Sequence, residues 1–341
     1  MEFRLTQTSW RYYRQKAQMS RHDMTGQRSG DTDAYHRCRQ YHRLAIVSLV
    51  IMALLPFTGE LQAAATPIMV TDDSGSTLTL TAPARRIISL SPHITEILFT
   101  LGAGSLIVGT MDQSNYPDAA RRIRRIGDHL GLDIEAIVSL KPDLIINWTS
   151  GTLPRQLQTL KNLDLPLFAS DPQRLDDIPR TIQNLGRLTG TDDRATELAG
   201  EFQRRLLALR DRYRNRPTVS VFLQIWAQPL MTVNDQQLLG DVIHLCGGRN
   251  VFGDLPTLAP RVSTEAVLQA DPDVIISTAE SGDDPASLQN WHRWPTLKAT
   301  RDGHLYGIDP TIISRPTPGI LDGATQMCRL LERSRATAAR Q

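Results

Sequence analysis

Residues 86–104, RIISLSPHITEILFTLGAG, contain the part of this sequence whose residue types could do chemistry. An apolar run predicts a strand over residues 87–90, and Ser91, Pro92 and His93 follow it before a predicted helix. Turns that join a strand to a helix can cradle a phosphate or expose a nucleophile. The residue types therefore raise three possibilities: a phosphate loop, a serine nucleophile or a histidine metal ligand.

The spacing of these residues supports none of the three sites. A phosphate loop needs its glycines before the helix, whereas Gly102 and Gly104 come after it and predict a helix C-terminus. A nucleophile elbow needs Gly-x-Ser-x-Gly, which Leu-Ser-Pro-His does not provide. His93 has no second metal ligand at a recognised spacing, so a surface or hydrogen-bonded histidine is the simpler interpretation. We therefore predict that this turn shapes the rim of a cleft, and we predict no catalytic and no metal-binding residues.

Residues 1–65 are predicted to be a leader with a signal peptide, although residues 1–35 are longer and more polar than a normal signal start. Arg37, Arg39 and Arg43 precede an apolar run over residues 44–57, and three alanines end at Ala65. A basic start, a short apolar run and an Ala-x-Ala end predict a secretory signal peptide that is cleaved near Ala65. The run is shorter than the roughly 20 residues that a membrane anchor needs. We therefore expect the mature chain in the periplasm.

This leader sets the charge balance of the whole chain. The sequence has 38 Lys and Arg against 36 Asp and Glu, a net charge of +2. Nine of these bases and five of these acids lie in residues 1–65, which leaves 29 bases, 31 acids and a net charge of −2. A mildly acidic folded region does not favour nucleic acid as a partner.

Two cysteines, Cys246 and Cys328, follow the leader, whereas Cys38 lies before its apolar run. An even pair in an oxidising compartment predicts one disulfide, with two buried free thiols as the alternative. Closing a loop of about 80 residues would stabilise the fold by roughly 4–5 kcal/mol on the chain-entropy model.

Alternating strand and helix patterns after the leader predict an α/β fold with mostly parallel sheets. Strands are predicted at residues 87–90, 106–109, 144–147, 167–169, 219–224, 274–277 and 305–308. Residues 192–215 form an amphipathic run between the first four strands and the last three, with apolar side chains at every third or fourth position. We therefore predict residues 66–190 as an N-terminal lobe, 191–216 as a bridging helix and 217–335 as a C-terminal lobe.

An internal repeat supports this division. Residues 135–146, EAIVSLKPDLII, match residues 265–276, EAVLQADPDVII, without a gap. Each copy predicts a helix, a Pro-Asp break and a buried strand. This combination is common in α/β chains, but the ungapped match favours two equivalent lobes with a ligand cleft between them.

Several segments together resemble a known family, among them RIISLSPHITEILFTLGAG, HLCGGRNVFGD, VSTEAVLQADPDVII and RPTPGILDGATQMCRLL. They are similar to the cobalamin-binding branch of the helix-bridged (class III) metal-chelate substrate-binding proteins of ABC importers, and the similarity runs over residues 86–331. It implies two Rossmann-like lobes joined by one long rigid helix, with cobalamin (vitamin B12) captured between them. It also implies delivery to an inner-membrane permease with its ATPase subunits, by a monomer that has no catalytic activity and no cofactor. A disulfide between the two late cysteines is implied as well.

The resemblance assigns roles to particular residues. Two exposed glutamates that dock on permease arginines correspond to Glu135 and Glu265, although the helix dipole alone would also favour an acid at these positions. Aromatic side chains at strand ends suit a large, flat and partly apolar ligand. The implied ligand-binding residues are Trp148, Trp226, Tyr116, Gln113, Asp309 and Arg315.

The sequence departs from the family in the ligand wall. A tyrosine expected near Gln113 and a tryptophan expected near Ala259 are absent, and residues 310–313 are Pro-Thr-Ile-Ile where the family has an aromatic. Tyr116 and His93 are candidates to compensate for these losses.

These departures keep other ligands and functions open. A ferric siderophore would need cleft arginines, for which Arg315 and Arg261 are available, and haem would need an axial ligand such as Tyr116 or His93. An exported enzyme would need a base beside a nucleophile or clustered metal ligands, and the sequence shows neither pattern.

Overall fold

The computed structural model describes residues 66–128 and 130–338. The predicted leader and its cleavage point near Ala65 lie outside this range. Over the described residues the chain forms two α/β lobes with mostly parallel sheets, which confirms the predicted fold class. None of the helices in this range is long and apolar enough to cross a membrane.

The elements have the following bounds. The strands are β1 (Ile68–Thr71), β2 (Thr77–Leu80), β3 (Ile87–Ser89), β4 (Ile107–Thr110), β5 (Leu144–Trp148), β6 (Leu167–Ser170), β7 (Val219–Gln224), β8 (Trp226–Ala227), β9 (Leu230–Met231), β10 (Gly248–Asn250), β11 (Val274–Ser277), β12 (Gly282–Asp283) and β13 (Leu305–Gly307). The α-helices are α1 (Pro92–Thr100), α2 (Ile134–Ser139), α3 (Pro154–Lys161), α4 (Asp177–Thr189), α5 (Asp192–Tyr213), α6 (Leu238–Leu245), α7 (Thr264–Ala270), α8 (Lys298–Arg301), α9 (Pro310–Ile313) and α10 (Ile320–Ala338). Three 3-10 segments cover Gly104–Leu106, Asp118–Arg122 and Ala286–Arg293.

The N-terminal lobe is built on four parallel strands in the order β4-β3-β5-β6. Neighbouring residues of these strands enter different apolar clusters: Ile87 and Ile146 pack on one face, and Ile88 and Ile145 pack on the other. Both faces are therefore covered, which explains why the sequence of β5 is apolar without alternation.

The C-terminal lobe repeats this arrangement with five strands in the order β10-β7-β11-β13-β12. Four of them are parallel, and β12 runs antiparallel to β13 at the edge. Phe222 and Ile275 face one cluster, while Leu223 and Ile276 face the other. Because β7 and β11 are buried on both faces, their mostly apolar sequences predict their bounds correctly.

The internal repeat occupies equivalent positions in the two lobes. Asp133 and Ser263 cap α2 and α7, and each side chain accepts a hydrogen bond from the backbone N–H three residues later. After each helix the chain turns through a residue with positive φ, Lys141 at 47° and Asp271 at 42°. The two copies therefore share their helix start and their turn.

The repeated aspartates anchor neighbouring strands in the same way. Asp143 accepts from the backbone N–H of Arg86 at 2.9 Å, at the start of β3. Asp273 accepts from the backbone N–H of Ser220 at 2.8 Å, in β7. In both lobes the Pro-Asp break thus fixes the central strand to the strand beside it.

Helix α5 joins the lobes and is about 33 Å long at 1.5 Å per residue. It ends two residues before the predicted residue 215. Gly186 of α4 lies so close to it that a Cβ at this position would clash with the Cβ of Ala195. One apolar cluster continues from the N-terminal lobe through α5 into the C-terminal lobe, so a hinge motion would have to disrupt packed core. The residues of α5 that are buried are Ala195, Leu198, Ala199, Phe202, Leu206 and Tyr213.

Polar contacts fasten the lobes beside α5. Arg210 of α5 donates two hydrogen bonds to Asp176, at 2.9 and 2.5 Å, and these bonds lower the pKa of that carboxyl. Asp241 of α6 accepts from the backbone N–H of Leu175 at 2.9 Å and from the guanidinium of Arg174 at 3.0 Å. The Arg210 bonds join the bridging helix to the N-terminal lobe and the Asp241 bonds cross between the lobes, so both add to the resistance of the core against hinge motion.

Cys246 and Cys328 form a disulfide, which confirms the predicted pair. The bond joins the end of α6 to α10, and both residues are fully buried. It closes a loop of 82 residues, which is most of the C-terminal lobe.

Candidate ligand-binding cleft

Three predicted ligand residues lie at the carboxyl ends of parallel strands. Trp148 is the last residue of β5, Trp226 comes two residues after β7, and Asp309 comes two residues after β13. Ligands of open α/β sheets bind outside the carboxyl ends of the strands. Both lobes therefore place predicted residues at the edge where a ligand is expected.

A cavity of about 420 Å³ lies between the lobes, and we call it the interlobe cavity. Glu96 and Tyr116 line it from the N-terminal lobe, and Thr311, Ile312 and Arg315 line it from the C-terminal lobe. Its volume is near the lower end of the roughly 300–1,000 Å³ that is usual for small-molecule sites.

An ion pair crosses this cavity. Nη1 of Arg315 is 3.4 Å from a carboxylate oxygen of Glu96, and the Glu96 side chain is 13% exposed. Removing either partner would leave the other charge poorly solvated, so the pair favours the arrangement in which the lobes are close together.

His93 lies in the first turn of α1 and is buried beside Arg315 and Trp148. Its Nδ1 is 2.5 Å from Oγ of Ser91, and its ring meets Trp148 edge to face with centroids 5.4 Å apart. Its Nε2 is also buried, and it has no hydrogen-bond partner among the described residues. His93 is therefore not a surface histidine: it is buried and hydrogen-bonded through one ring nitrogen only, because residues of other elements cover the ring.

Burial, together with the charge of Arg315, lowers the pKa of His93 to about 3. The imidazole is therefore neutral near pH 7 and is a weak base. A general base for catalysis works best with a pKa near the operating pH, so the Ser91–His93 contact does not resemble an activated nucleophile. Among the described residues, no group of three or more His, Cys, Asp or Glu side chains could hold a metal ion.

The buried His93 should make the stability of the fold depend on pH. Its pKa is about 3 in the folded chain and about 6.5 when unfolded, so the unfolded state takes up a proton first as the pH falls. This stabilisation is complete above about pH 6.5 and is lost progressively below it. We expect the free energy of unfolding to drop by about 2 kcal/mol from this group between about pH 6.5 and pH 5.

Urea titrations of the wild type and of His93→Gln across this range would measure the effect. The variant should lose that part of the slope because glutamine does not titrate. Identical slopes in the two proteins would show that His93 is not the source.

Asp309 is half-buried beside the interlobe cavity and caps α9. Its carboxylate accepts from the hydroxyl and the backbone N–H of Thr311, both at 2.7 Å, and these bonds lower the pKa of Asp309. Thr311 lines the cavity, and Asp309 lies one hydrogen bond behind it. The structure thus brings Tyr116, Arg315 and Asp309 to one place.

Two other predicted residues are exposed. Trp226 is 61% exposed, and its Nε1 donates to the backbone carbonyl of Gln228 at 2.8 Å, so the indole lies against the turn of the β8–β9 hairpin. Gln113 is exposed in the loop after β4 and is not among the residues that line the interlobe cavity.

Glu96 is one of the cavity residues that sequence reasoning missed. It lies three residues after His93 in α1 and therefore on the same face of that helix. This spacing is visible in the sequence and could have indicated that the two side chains are close together. Its partner Arg315 is 219 residues away, and no local pattern pairs the two.

Glu135 and Glu265 are exposed and equivalent. Each is the second residue of its helix, in α2 and in α7. Hydrogen bonds from its own backbone N–H and from the hydroxyl of Ser263 lower the pKa of Glu265. This carboxylate therefore stays charged at mildly acidic pH.

Known proteins resemble this chain in sequence and fold. A sequence model of the family described as periplasmic binding protein matches residues 87–312. A vitamin B12-binding protein of Vibrio cholerae is 34% identical over 251 residues, which are 73% of this chain and 90% of that protein. The crystal structure of the periplasmic vitamin B12 binding protein BtuF of Vibrio cholerae matches with a TM-score of 0.69 at 33% identity, over 74% of this chain and 98% of that one. The periplasmic haem-binding protein HutB of the same species matches with a TM-score of 0.62 at 20% identity, over 72% of this chain and 98% of that one, and this likeness shows the fold alone.

Proposed function

This chain belongs to the periplasmic binding protein family, and from that premise we propose that it captures cobalamin between its lobes and delivers it to an ABC permease for import. The observation that carries this proposal is the similarity of 33–34% to vitamin B12-binding proteins over about three quarters of the chain. The haem-binding relative is only 20% identical. In this proposal the chain binds and delivers its ligand as a monomer, without catalysis or a cofactor of its own.

We assign the ligand wall to aromatic and polar side chains from both lobes. The indoles and the phenol give flat apolar surface, which suits a corrin ring, and the charged side chains give orientation. Gln113 is assigned to the rim because it is exposed outside the interlobe cavity. The full assignment is Trp148, Trp226, Tyr116, Gln113, Asp309 and Arg315.

A corrinoid is larger than the interlobe cavity of about 420 Å³. Its entry therefore requires Arg315 and Glu96 to separate, or leaves part of the ligand outside. Separation would also give the unpartnered Nε2 of His93 access to the ligand, and corrinoids carry amide side chains that can hydrogen-bond to a neutral imidazole.

Delivery would use the exposed pair Glu135 and Glu265 as contacts for permease arginines, with the ATPase subunits on the far side of the membrane. The equivalent placement of the two glutamates in the two lobes supports this assignment more than either residue alone. The leader, with cleavage near Ala65, would direct the chain to the periplasm.

Haem is the second candidate ligand. Tyr116 lines the interlobe cavity and His93 has a free buried nitrogen, so either could serve as an axial ligand. A ferric siderophore is less well matched, because the charge of Arg315 is already neutralised by Glu96.

The Trp226→Ala variant tests the ligand wall without disturbing the core. Because this indole is 61% exposed, we expect little loss of stability and a roughly tenfold to hundredfold weaker affinity for cyanocobalamin, measured by calorimetry. Leu207→Ala is the matched control, since Leu207 is a 58% exposed apolar residue of α5. An unchanged affinity in Trp226→Ala would show that the β8–β9 hairpin does not contact the ligand.

A further inference from the structure

Tyr116, which we assign to the ligand wall, is carried by residues 111–117, and we call this segment the Tyr116 loop. The loop follows β4 and precedes the 3-10 segment Asp118–Arg122. The phenol lines the interlobe cavity and is 60% exposed, and its hydroxyl has no hydrogen-bond partner among the described residues. Hydrogen bonds of Tyr116 itself therefore do not fix the position of the phenol.

The guanidinium of Arg125 holds this loop from outside it. Its Nη1 donates to the backbone carbonyl of Met111 at 2.8 Å and to that of Ser114 at 3.0 Å, and its Nη2 donates to Oδ1 of Asn115 at 3.1 Å. A guanidinium presents its N–H groups in a rigid planar fork, so bonds to three points of one loop fix the shape of that loop. The last of these points is the residue directly before Tyr116.

The backbone around Arg125 is anchored to the sheet of the N-terminal lobe. Thr110, the last residue of β4, donates its N–H to the carbonyl of Arg124 and accepts from the N–H of Ile126, both at 3.0 Å. Ile126 is fully buried in the apolar cluster of this lobe. The sheet thus fixes Arg125, and Arg125 fixes the Tyr116 loop.

The charge of Arg125 has no carboxylate partner among the described residues, although the side chain is half-buried. Hydrogen bonds with one charged partner are stronger than bonds between neutral groups, so the three bonds to the loop use this charge. The neighbouring Arg124 is exposed, and its side chain makes no hydrogen bond or ion pair within the described part of the chain. The contrast between these neighbours indicates that Arg125 acts on the loop rather than as a general surface charge.

We propose that Arg125 is a positioning residue of the ligand wall, which fixes the Tyr116 loop so that the phenol stands at the interlobe cavity before the ligand arrives. The proposal rests on the proposed function and extends it to a residue that is not among the described residues lining that cavity. A wall that is ordered in advance avoids the entropic cost of ordering a loop on binding, and this raises affinity. Arg125 therefore acts on the ligand through Tyr116.

Affinities for cyanocobalamin, measured by calorimetry in a double-mutant cycle, test this role. We expect Arg125→Gln to bind about tenfold more weakly than the wild type, and Arg125→Lys to recover only part of this loss because an ammonium cannot reproduce the fork. In a Tyr116→Ala background, Arg125→Gln should weaken binding by less than about twofold, because the residue through which it acts is gone. Arg124→Gln is the matched control and should bind like the wild type.

Amide hydrogen exchange tests the same role without a ligand. The N–H groups of Ser114 and Asn115 are hydrogen-bonded inside the loop, at 3.0 and 2.9 Å, and should exchange at least about tenfold faster in Arg125→Gln. The N–H of Ile145 in β5, hydrogen-bonded at 2.8 Å, is the internal reference and should keep its rate. Arg124→Gln should leave all three rates unchanged.

The outcomes separate this role from the proposed function. Unchanged affinity or unchanged loop exchange in Arg125→Gln, or an equal loss of affinity with and without Tyr116, would overturn the positioning role while leaving the corrinoid function intact. Faster exchange at Ile145 would show a general loss of stability and would overturn it as well. A wild type that binds no cyanocobalamin would overturn the proposed function itself, and the exchange rates would then still decide whether Arg125 fixes the loop.

Discussion

Uptake of cobalamin is expected to stop when Glu135 and Glu265 are both replaced by arginine, while ligand binding remains unchanged. Both side chains are exposed at the second position of equivalent helices, so their replacement should not disturb the fold. Each proposed carboxylate–arginine contact would become a repulsion between like charges, which costs several kcal/mol. Two such changes should weaken docking by at least about a thousandfold.

Uptake of labelled cyanocobalamin by cells that depend on this chain would measure the effect, alongside calorimetry on the purified variant. The matched control is Glu197→Arg with Glu201→Arg, which reverses two exposed charges on α5 away from the repeat. Normal uptake by the Glu135 and Glu265 variant, or loss of its ligand binding, would contradict the docking role.

Removal of the disulfide is expected to lower the free energy of unfolding by about 4–5 kcal/mol, because it releases a loop of 82 residues in the unfolded chain. The suitable variant is Cys246→Ala with Cys328→Ala. Both positions are fully buried, and alanine avoids placing an unpaired hydroxyl there.

Urea titrations of the oxidised wild type, the reduced wild type and the alanine variant would measure the change. The reduced wild type is the control that keeps the sequence constant, and it should lose a similar amount. A loss below about 1 kcal/mol in both would show that loop closure contributes little to this fold.

The elements that can be predicted from the sequence are those whose own side chains determine burial. Strands β7 and β11 are mostly apolar and buried on both faces, and their bounds agree with the prediction. Helix α5 carries an apolar stripe with helical spacing, and its predicted end differs by two residues. Strands β8, β9, β10 and β12 escape prediction, because two or three residues show no periodicity and their pairing depends on distant partners.

The cleft is predictable only in part, for the same reason. The order of strands and aromatic residues along the chain is enough to place Trp148 and Trp226 at strand ends. The ion pair between Glu96 and Arg315 depends on the packing of two lobes, and the burial of His93 depends on Arg315 and Trp148. Such features come from tertiary contacts, and neither spacing nor composition in the sequence indicates them.

Titration of residues 66–341 with cyanocobalamin, with haem and a ferric siderophore as competing ligands, tests the central claim most directly. We predict one cyanocobalamin per chain at about micromolar affinity or tighter, and much weaker binding of the other two. Tight binding of haem or of the siderophore, with no measurable binding of cyanocobalamin, would contradict the claim that this chain captures a corrinoid between its lobes.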